Sequence, residues 1–280
     1  MIRLAFATAT VVAALAAPGT AQEIEIEPER CPRFVADYRP TAPPDGVLHR
    51  ASLLLPVQAE DRLVDLTYIG HATFLIESPA GVTIATDYNG VARPSVVPRI
   101  VTMNRAHSTH NTPFPDPEIE FVFRGWGEDG EPARHELAID DVWLRNVTTN
   151  IRGGFGVSGS IQRDMNSMFV FEVAELCIAH LGHLHHELTE DHLKALGRID
   201  VVLAPVDGTF TLNTEDMIGV LQAIGAPLVI PMHYFGQTTL ERFLARLGED
   251  YEVAYSDSPR IGLSRETLPR LPTVLVLPGY

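Results

Sequence analysis

From Leu63 onward the chain alternates short apolar runs with turn-forming residues, the pattern of a sheet-rich domain. Leu66-Thr67-Tyr68-Ile69, Thr73-Phe74-Leu75-Ile76 and Val82-Thr83-Ile84-Ala85-Thr86 are β-branched and aromatic, with Gly70 and Pro79-Ala80-Gly81 between them. Such runs, bounded by Gly and Pro, predict strands. Further strands are predicted at 99–103, 119–123, 141–148, 167–173, 176–180, 199–204, 227–231 and 273–277. Helical spacing comes later. Thr189 precedes two acids and an apolar repeat that Gly197 closes; 214–224 followed by Gly225, and 238–247 followed by Gly248, share the layout. Polar caps at the start and Gly past the end are the usual helix boundaries. Strands first, then strand–helix alternation, predict an α/β (α+β) domain over 63–280, with two packed sheets flanked by helices.

The N-terminal part reads differently. Arg3 precedes an apolar run to Ala17, and small residues follow at Gly19, Thr20 and Ala21. The run is shorter than the roughly 20 residues needed to span a bilayer. It therefore predicts a signal peptide over 1–21, export to the periplasm or beyond, and no stable membrane insertion. Residues 22–62, rich in Pro and charge, predict an extended arm lying on the domain. A net charge of −15 offers no basic face to neutralise phosphates, which argues against a nucleic-acid partner. Self-association stays open. Of the two cysteines, export would allow Cys31 and Cys177 to pair. The apolar run Leu176-Cys177-Ile178-Ala179 favours instead a small buried hydrophobe at 177.

Eleven histidines change the picture further, because of where they fall. His107 and His110 follow the run Ile100-Val101-Thr102-Met103. His180 and His183 follow Leu176–Ala179, and His233 follows Leu228–Met232. Carboxyl ends of strands are where α/β folds gather their sites, and neutral imidazole is the commonest zinc ligand. A lone strand-end His is ordinarily a hydrogen-bonded surface residue, the reading given to His185, His186 and His192. The metal argument rests on three separate strand ends. His49 and His135, in polar loops, carry no assigned role.

The order of motifs resembles the metallo-β-lactamase fold, in its ascorbate-6-phosphate-lactonase-like branch, over about 63–235. The residues that carry the resemblance are Tyr68 to Glu77, Thr83 to Asp87, Val101 to Asn111, Ala179-His180-Leu181-Gly182-His183, Asp200 to Gly208 and Val229 to Tyr234. The resemblance implies a four-layer αββα sandwich and a metallohydrolase. In that family a His-x-His-x-Asp-His loop, a turn Asp and a C-terminal His hold two metals. Here Arg105 stands for the first loop His, Thr109 for the loop Asp and His183 for the bridging Asp. The family's third first-site His falls near Asn150 or is supplied by His180. His71 matches a Gly-His that supports the site without binding metal.

Two carboxylates lost and a guanidinium gained disfavour a dinuclear centre, since close like charges cost several kcal/mol. The expectation is one divalent metal, zinc before iron or manganese, on His110, His183 and His233, with His107 and His180 as supporting or alternative ligands. Such an ion lowers the pKa of its water to about 7 and supplies a hydroxide nucleophile. Arg105 would bind substrate charge. Asp87 and Asp207 would orient a His or take a proton; an ordinary strand-end turn is the competing reading for Asp207. Arg145 and Arg152 either line the site or pair with surface acids. The reading is a hydrolase of a small anionic ester, lactone or phosphoester. Its rivals are a non-catalytic periplasmic binding protein that holds an anion through Arg105, and a metal-binding protein for which His185 and His186 would matter.

Overall fold

A computed structural model describes Cys31, 63–105, 107–128, 131–153 and 160–279. The predicted signal peptide and all of the predicted arm except Cys31 lie outside the described residues. Fourteen strands and three helices are found among them. A six-stranded sheet has the order β13-β1-β2-β3-β4-β5, where β1 is Val64–Gly70, β2 Thr73–Glu77, β3 Thr83–Ala85, β4 Ile100–Met103, β5 Phe121–Arg124 and β13 Arg260–Leu263. An eight-stranded sheet has the order β12-β14-β11-β10-β9-β8-β7-β6. There β6 is Glu136–Ile139, β7 Val142–Arg152, β8 Ile161–Val173, β9 Leu176–His180, β10 Val201–Pro205, β11 Leu228–Met232, β12 Glu252–Tyr255 and β14 Thr273–Val276.

Period-two alternation sorts the apolar residues into layers. Phe169, Phe171, Ile178, Leu203 and Ile230 face inward and meet Leu66, Phe74, Ile76, Ile84 and Ile100 of the other sheet. Their neighbours Met168, Val170, Ala179, Val202 and Val229 face outward. Onto that outer face pack α1 (Glu190–Leu196), α2 (Thr214–Ile224) and α3 (Gln237–Leu244), through Leu196, Met217, Leu221, Leu240 and Phe243. The α/β architecture of two packed sheets is thus the expected one. Among the described residues the other outer face carries no helix; Tyr88, Ile119 and Trp126 from loops cover Ala85, Val101 and Met103. None of the helices is long and apolar enough to cross a membrane.

The main departures from the sequence expectation have physical causes. β7 and β8 pair from Val142↔Val173 to Arg152↔Ile161, so the hairpin runs well beyond the apolar stretches that announced it. Beyond Thr149 its residues are mostly polar, Ile151 and Ile161 excepted, so no apolar run announces the extension. β6, β12 and β13 were not anticipated because they are short, edge-placed or largely exposed. Helix α3 ends at Leu244, not Leu247; three-residue turn bonds at Arg246 and Leu247 finish it.

The structure also corrects the reading of Cys177 as an unpaired hydrophobe, because Cys31 and Cys177 form a disulfide. The bridge joins the N-terminal segment to β9, across a separation of 146 residues. Nearby, the backbone N–H of Cys31 donates to Glu172 Oε2 at 3.0 Å.

Candidate metal centre

The parallel strands β9, β10 and β11 end at one edge of their sheet, which puts His180, His183, Asp207 and His233 together. β3 and β4, also parallel, end at the facing edge and deliver Asp87 and the loop 104–110. The two edges are tied by His233 N–H, which donates to His71 O at 2.7 Å. His71, Asp87 and His233 all have positive φ, at 55°, 41° and 57°. Non-glycine residues pay about 1–3 kcal/mol for such a backbone, a strain that clusters at functional sites.

One ring nitrogen from each of His107, His110, His183 and His233 lies within 4.8 Å of the others. His110, His183 and His233 are buried and His107 is exposed. His110 Nε2 faces His233 Nε2 at 3.1 Å, and His107 Nε2 faces His183 Nε2 at 2.9 Å. Behind the first pair stand two carboxylates. Asp87 Oδ2 is 2.6 Å from His110 Nδ1, and Asp207 Oδ1 is 3.0 Å from His233 Nδ1. Each carboxylate holds its imidazole's proton on Nδ1 and leaves Nε2 with a bare lone pair, so two lone pairs point at each other with no proton between them. A third proton is disfavoured, because burial first, and then the neighbouring His233, push His110 well below the usual histidine range. A cation resolves that contact, so the residues fit a metal.

The second pair is arranged differently. Arg152 N–H donates to His185 Nδ1 at 2.7 Å, which places the His185 proton on Nε2, facing His183 Nδ1. The His183 proton then sits on Nε2 and bridges to His107. For His183 to ligate through Nε2, both protons must shift towards Nδ1, against the Arg152 amide. That costs about 1–3 kcal/mol, small beside the ten or more that a structural zinc contributes. Burial, then His110 and His233, hold His183 far below the usual range. His107 Nδ1 contacts Thr109 Oγ1 at 2.7 Å, and the same hydroxyl reaches His71 Nε2 at 3.0 Å.

Two buried amides brace the ligand turns. Asn104 Nδ2 donates to Asp87 Oδ1 at 2.9 Å, while its Oδ1 accepts from Ser167 N–H at 2.7 Å. Asn166 Oδ1 accepts from His183 N–H at 2.7 Å. Both amides lie against Gly182, where a Cβ would stand 2.4 Å from Asn104 Nδ2 and 2.5 Å from Asn166 Oδ1. Asp207 also takes N–H donors from Thr209 and Phe210. Burial alone would raise its pKa, but the hydrogen bonds from His233 and Thr211 outweigh that and hold it well below the carboxylate range. Asp87 is pushed up by burial to about 6, opposed by His180 and Asn104.

A family model described as a beta-lactamase superfamily domain matches residues 65–233, more than half of the chain. The chain belongs to the metallo-β-lactamase superfamily. Relatives named UPF0173 metal-dependent hydrolase share its sequence. One, from Methanoculleus marisnigri, is 26% identical over 190 residues, covering 60% of this chain and 80% of the relative. Another, from Salinibacter ruber, is 24% identical over 220 residues, covering 71% and 97%. A crystal structure from Thermotoga maritima, provisionally described as a Zn-dependent hydrolase of the metallo-beta-lactamase superfamily, superposes with a TM-score of 0.56 and 26% identity. It covers 78% of this chain and 100% of that one.

Within this superfamily member, the structure gathers four of the five histidines singled out as ligands. His180 stays outside the group. Its Nε2 bonds to Ala72 O at 2.8 Å and its Nδ1 accepts from Gly182 N–H, so both ring nitrogens are engaged. Asp87 and Asp207 lie behind the ligands, fully or nearly buried, each hydrogen-bonded to a ligand imidazole. Arg105 is exposed on the ligand loop and, among the described residues, has no ion-pair partner. Arg145 is buried against Glu172 and the last carbonyls of α1, so it is neither a site residue nor a surface pair. Arg152 binds the carbonyls of Thr209, Phe210 and Thr211. Asn150 meets His186 through its backbone N–H and joins no ligand.

Thr109, Asn104, Asn166 and His185 were not singled out from the sequence for the contacts they make. Thr109 stands where the family writes an Asp, and a hydroxyl that bridges two imidazoles carries no periodicity signal. His185 follows His183 by two residues, a spacing that was the available clue.

Proposed function

We propose that this chain is an exported metal-dependent hydrolase with one divalent ion, cleaving a small ester, lactone or phosphoester that carries an anionic group. His110, His183 and His233 hold the ion from the buried side and His107 from the exposed side; zinc is the expected ion, ahead of iron or manganese. The lone-pair contact between His110 and His233, fixed by Asp87 and Asp207, is the single observation that carries this reading. When bound, the ion would supply Lewis acidity and a water activated near neutral pH. Asp87 and Asp207 keep two ligand nitrogens aimed and basic. The exposed guanidinium of Arg105, on the loop of His107 and His110, supplies the positive charge for the substrate's anionic group. The Cys31–Cys177 disulfide supports export, since such bonds persist in oxidising compartments.

The experiment is turnover of ester, lactone and phosphodiester panels by the mature chain, reconstituted with each of zinc, iron and manganese. Hydrolysis lost on chelation supports the proposal. One observation favours a second reading: four histidines make a closed protein shell, as in structural zinc sites, whereas catalytic zinc keeps three protein ligands. A protein that holds one ion and turns over nothing on any panel would be a metal-binding protein.

A further inference from the structure

The loops after β10 and β11 carry two phenylalanines besides Asp207 and His233, and the hydrolase reading does not use them. Phe210 and Phe235 are 46% and 59% exposed. Their rings meet edge to face with centroids 5.4 Å apart. Phe235 also stands 5.4 Å from the ring of His233 and 5.9 Å from that of His71. The pair therefore begins at a ligand ring and extends into solvent.

Scattered exposed apolar residues are normal on a soluble surface. Here Phe210 is firmly mounted, and Phe235 stands against it and against a ligand ring. Phe210 N–H donates to Asp207 Oδ2 at 2.5 Å, and its carbonyl accepts from Arg152 Nη2 at 3.1 Å. The same guanidinium takes the carbonyls of Thr209 and Thr211 at 3.0 and 2.6 Å. Asp207 in turn orients His233, so one carboxylate fixes a ligand and the backbone of an exposed ring together. Phe114, at 86% exposed, has no ring contact among the described residues.

We propose that Phe210 and Phe235 form an aromatic wall that takes an aryl group of the substrate, attached next to the bond being cleaved. This rests on the metal-centre reading above and adds the substrate's apolar half. Two rings set edge to face offer a flat guest both an edge and a face, the arrangements aromatic pairs prefer. The substrate class is then an aryl ester, aryl lactone or aryl phosphoester whose charge lies away from the wall.

The test compares two metal-binding probes that share a head group, acetohydroxamate and benzohydroxamate, by calorimetric titration of the metal-loaded protein. The phenyl ring should tighten binding about tenfold, the scale of one aromatic contact with its buried area. In the Phe210→Ala/Phe235→Ala variant that preference should shrink to within about threefold. Acetohydroxamate affinity should stay unchanged, which reports an intact metal site. Phe235→Leu, which keeps apolar bulk but loses the ring, should fall between. A wild-type preference near one, or a preference retained in the double variant while acetohydroxamate still binds, would overturn the wall and leave the metal reading standing. If neither probe binds the loaded protein, the ion has no open position, the hydrolase reading fails and the wall fails with it.

Discussion

Asp87→Asn separates the metal centre from the fold that carries it. In the native chain Asp87 accepts from Asn104 Nδ2 at 2.9 Å and holds the His110 proton on Nδ1 at 2.6 Å. An amide at 87 can still accept from Asn104 through its oxygen. Its NH2 then faces His110 Nδ1 and donates to it, which moves the His110 proton to Nε2. That proton points at His233 Nε2, 3.1 Å away, and turns a contact between two lone pairs into a hydrogen bond. The contacts to Asn104, His110 and His233 are kept, and loss of a buried charge offsets one amide N–H left without an acceptor, so metal-free stability should stay within about 1 kcal/mol of wild type. Metal affinity should fall, because a ligand nitrogen now carries a proton. Losing such a supporting carboxylate typically costs 10–100-fold, about 1.4–2.7 kcal/mol. Competition against a chelator of known affinity reads the first quantity, and urea unfolding in excess chelator reads the second. Unchanged metal affinity would refute the claim that Asp87 sets the His110 tautomer. A metal-free protein destabilised by as much as the affinity falls would show a purely structural role.

Four further outcomes follow from the same geometry. Gly182→Ala places a Cβ within 2.5 Å of two buried amides at a φ of 60°, and should destabilise by about 2–4 kcal/mol in urea titration; a change below about 0.5 kcal/mol would contradict the close packing. Replacing both Cys31 and Cys177 by Ala opens a loop of 146 residues and should cost about 2–5 kcal/mol, read by the denaturation midpoint with and without reductant. In excess chelator, stability should fall as pH drops from about 6.5 towards 4. His71 and His185 are lowered to about 4, chiefly by burial, so the unfolded chain binds more protons across that window, and above it the two states differ little. Asp87 opposes the trend between its ordinary value and about 6, but His110 and His183 reinforce it, so a midpoint that rises on acidification would contradict the assignment. Replacing His185 and His186 together by Ala frees the His183 proton to shift and removes the opposing cost, so metal affinity should rise, by about tenfold for a cost of about 1.4 kcal/mol; a loss above tenfold by chelator competition would make them part of the metal site.

Much of the fold was legible because its central strands are continuous apolar runs, and runs such as Leu176–Ala179 and Leu228–Met232 have few other uses. The metal centre was legible at the level of strand ends. His107, His110, His183 and His233 follow the ends of three separate strands, and the chain path brings them together. What stayed hidden depends on side-chain direction and on long-range pairing. His180 looked equivalent to His183, but it still belongs to β9, and its ring turns to Ala72 O in the interior. Asp87 and Asp207 were named as acids without a side; their burial behind His110 and His233 decides that they orient. Arg145 and Arg152 looked alike on one strand, yet one caps α1 and the other anchors the loop of Phe210. Cys31 and Cys177 lie far apart in sequence, and nothing in either neighbourhood announces the partner. Helix α3 ended early because three-residue turn bonds replace its last turn, and Gly248 lies in the loop beyond it.

Metal content of the purified chain, prepared without a His-tag and set beside His183→Ala, tests the central claim most directly. The account predicts about one divalent ion per wild-type chain and a large loss in the variant, with unchanged circular dichroism. Two ions per chain, or none after incubation with excess zinc, iron and manganese, would contradict it.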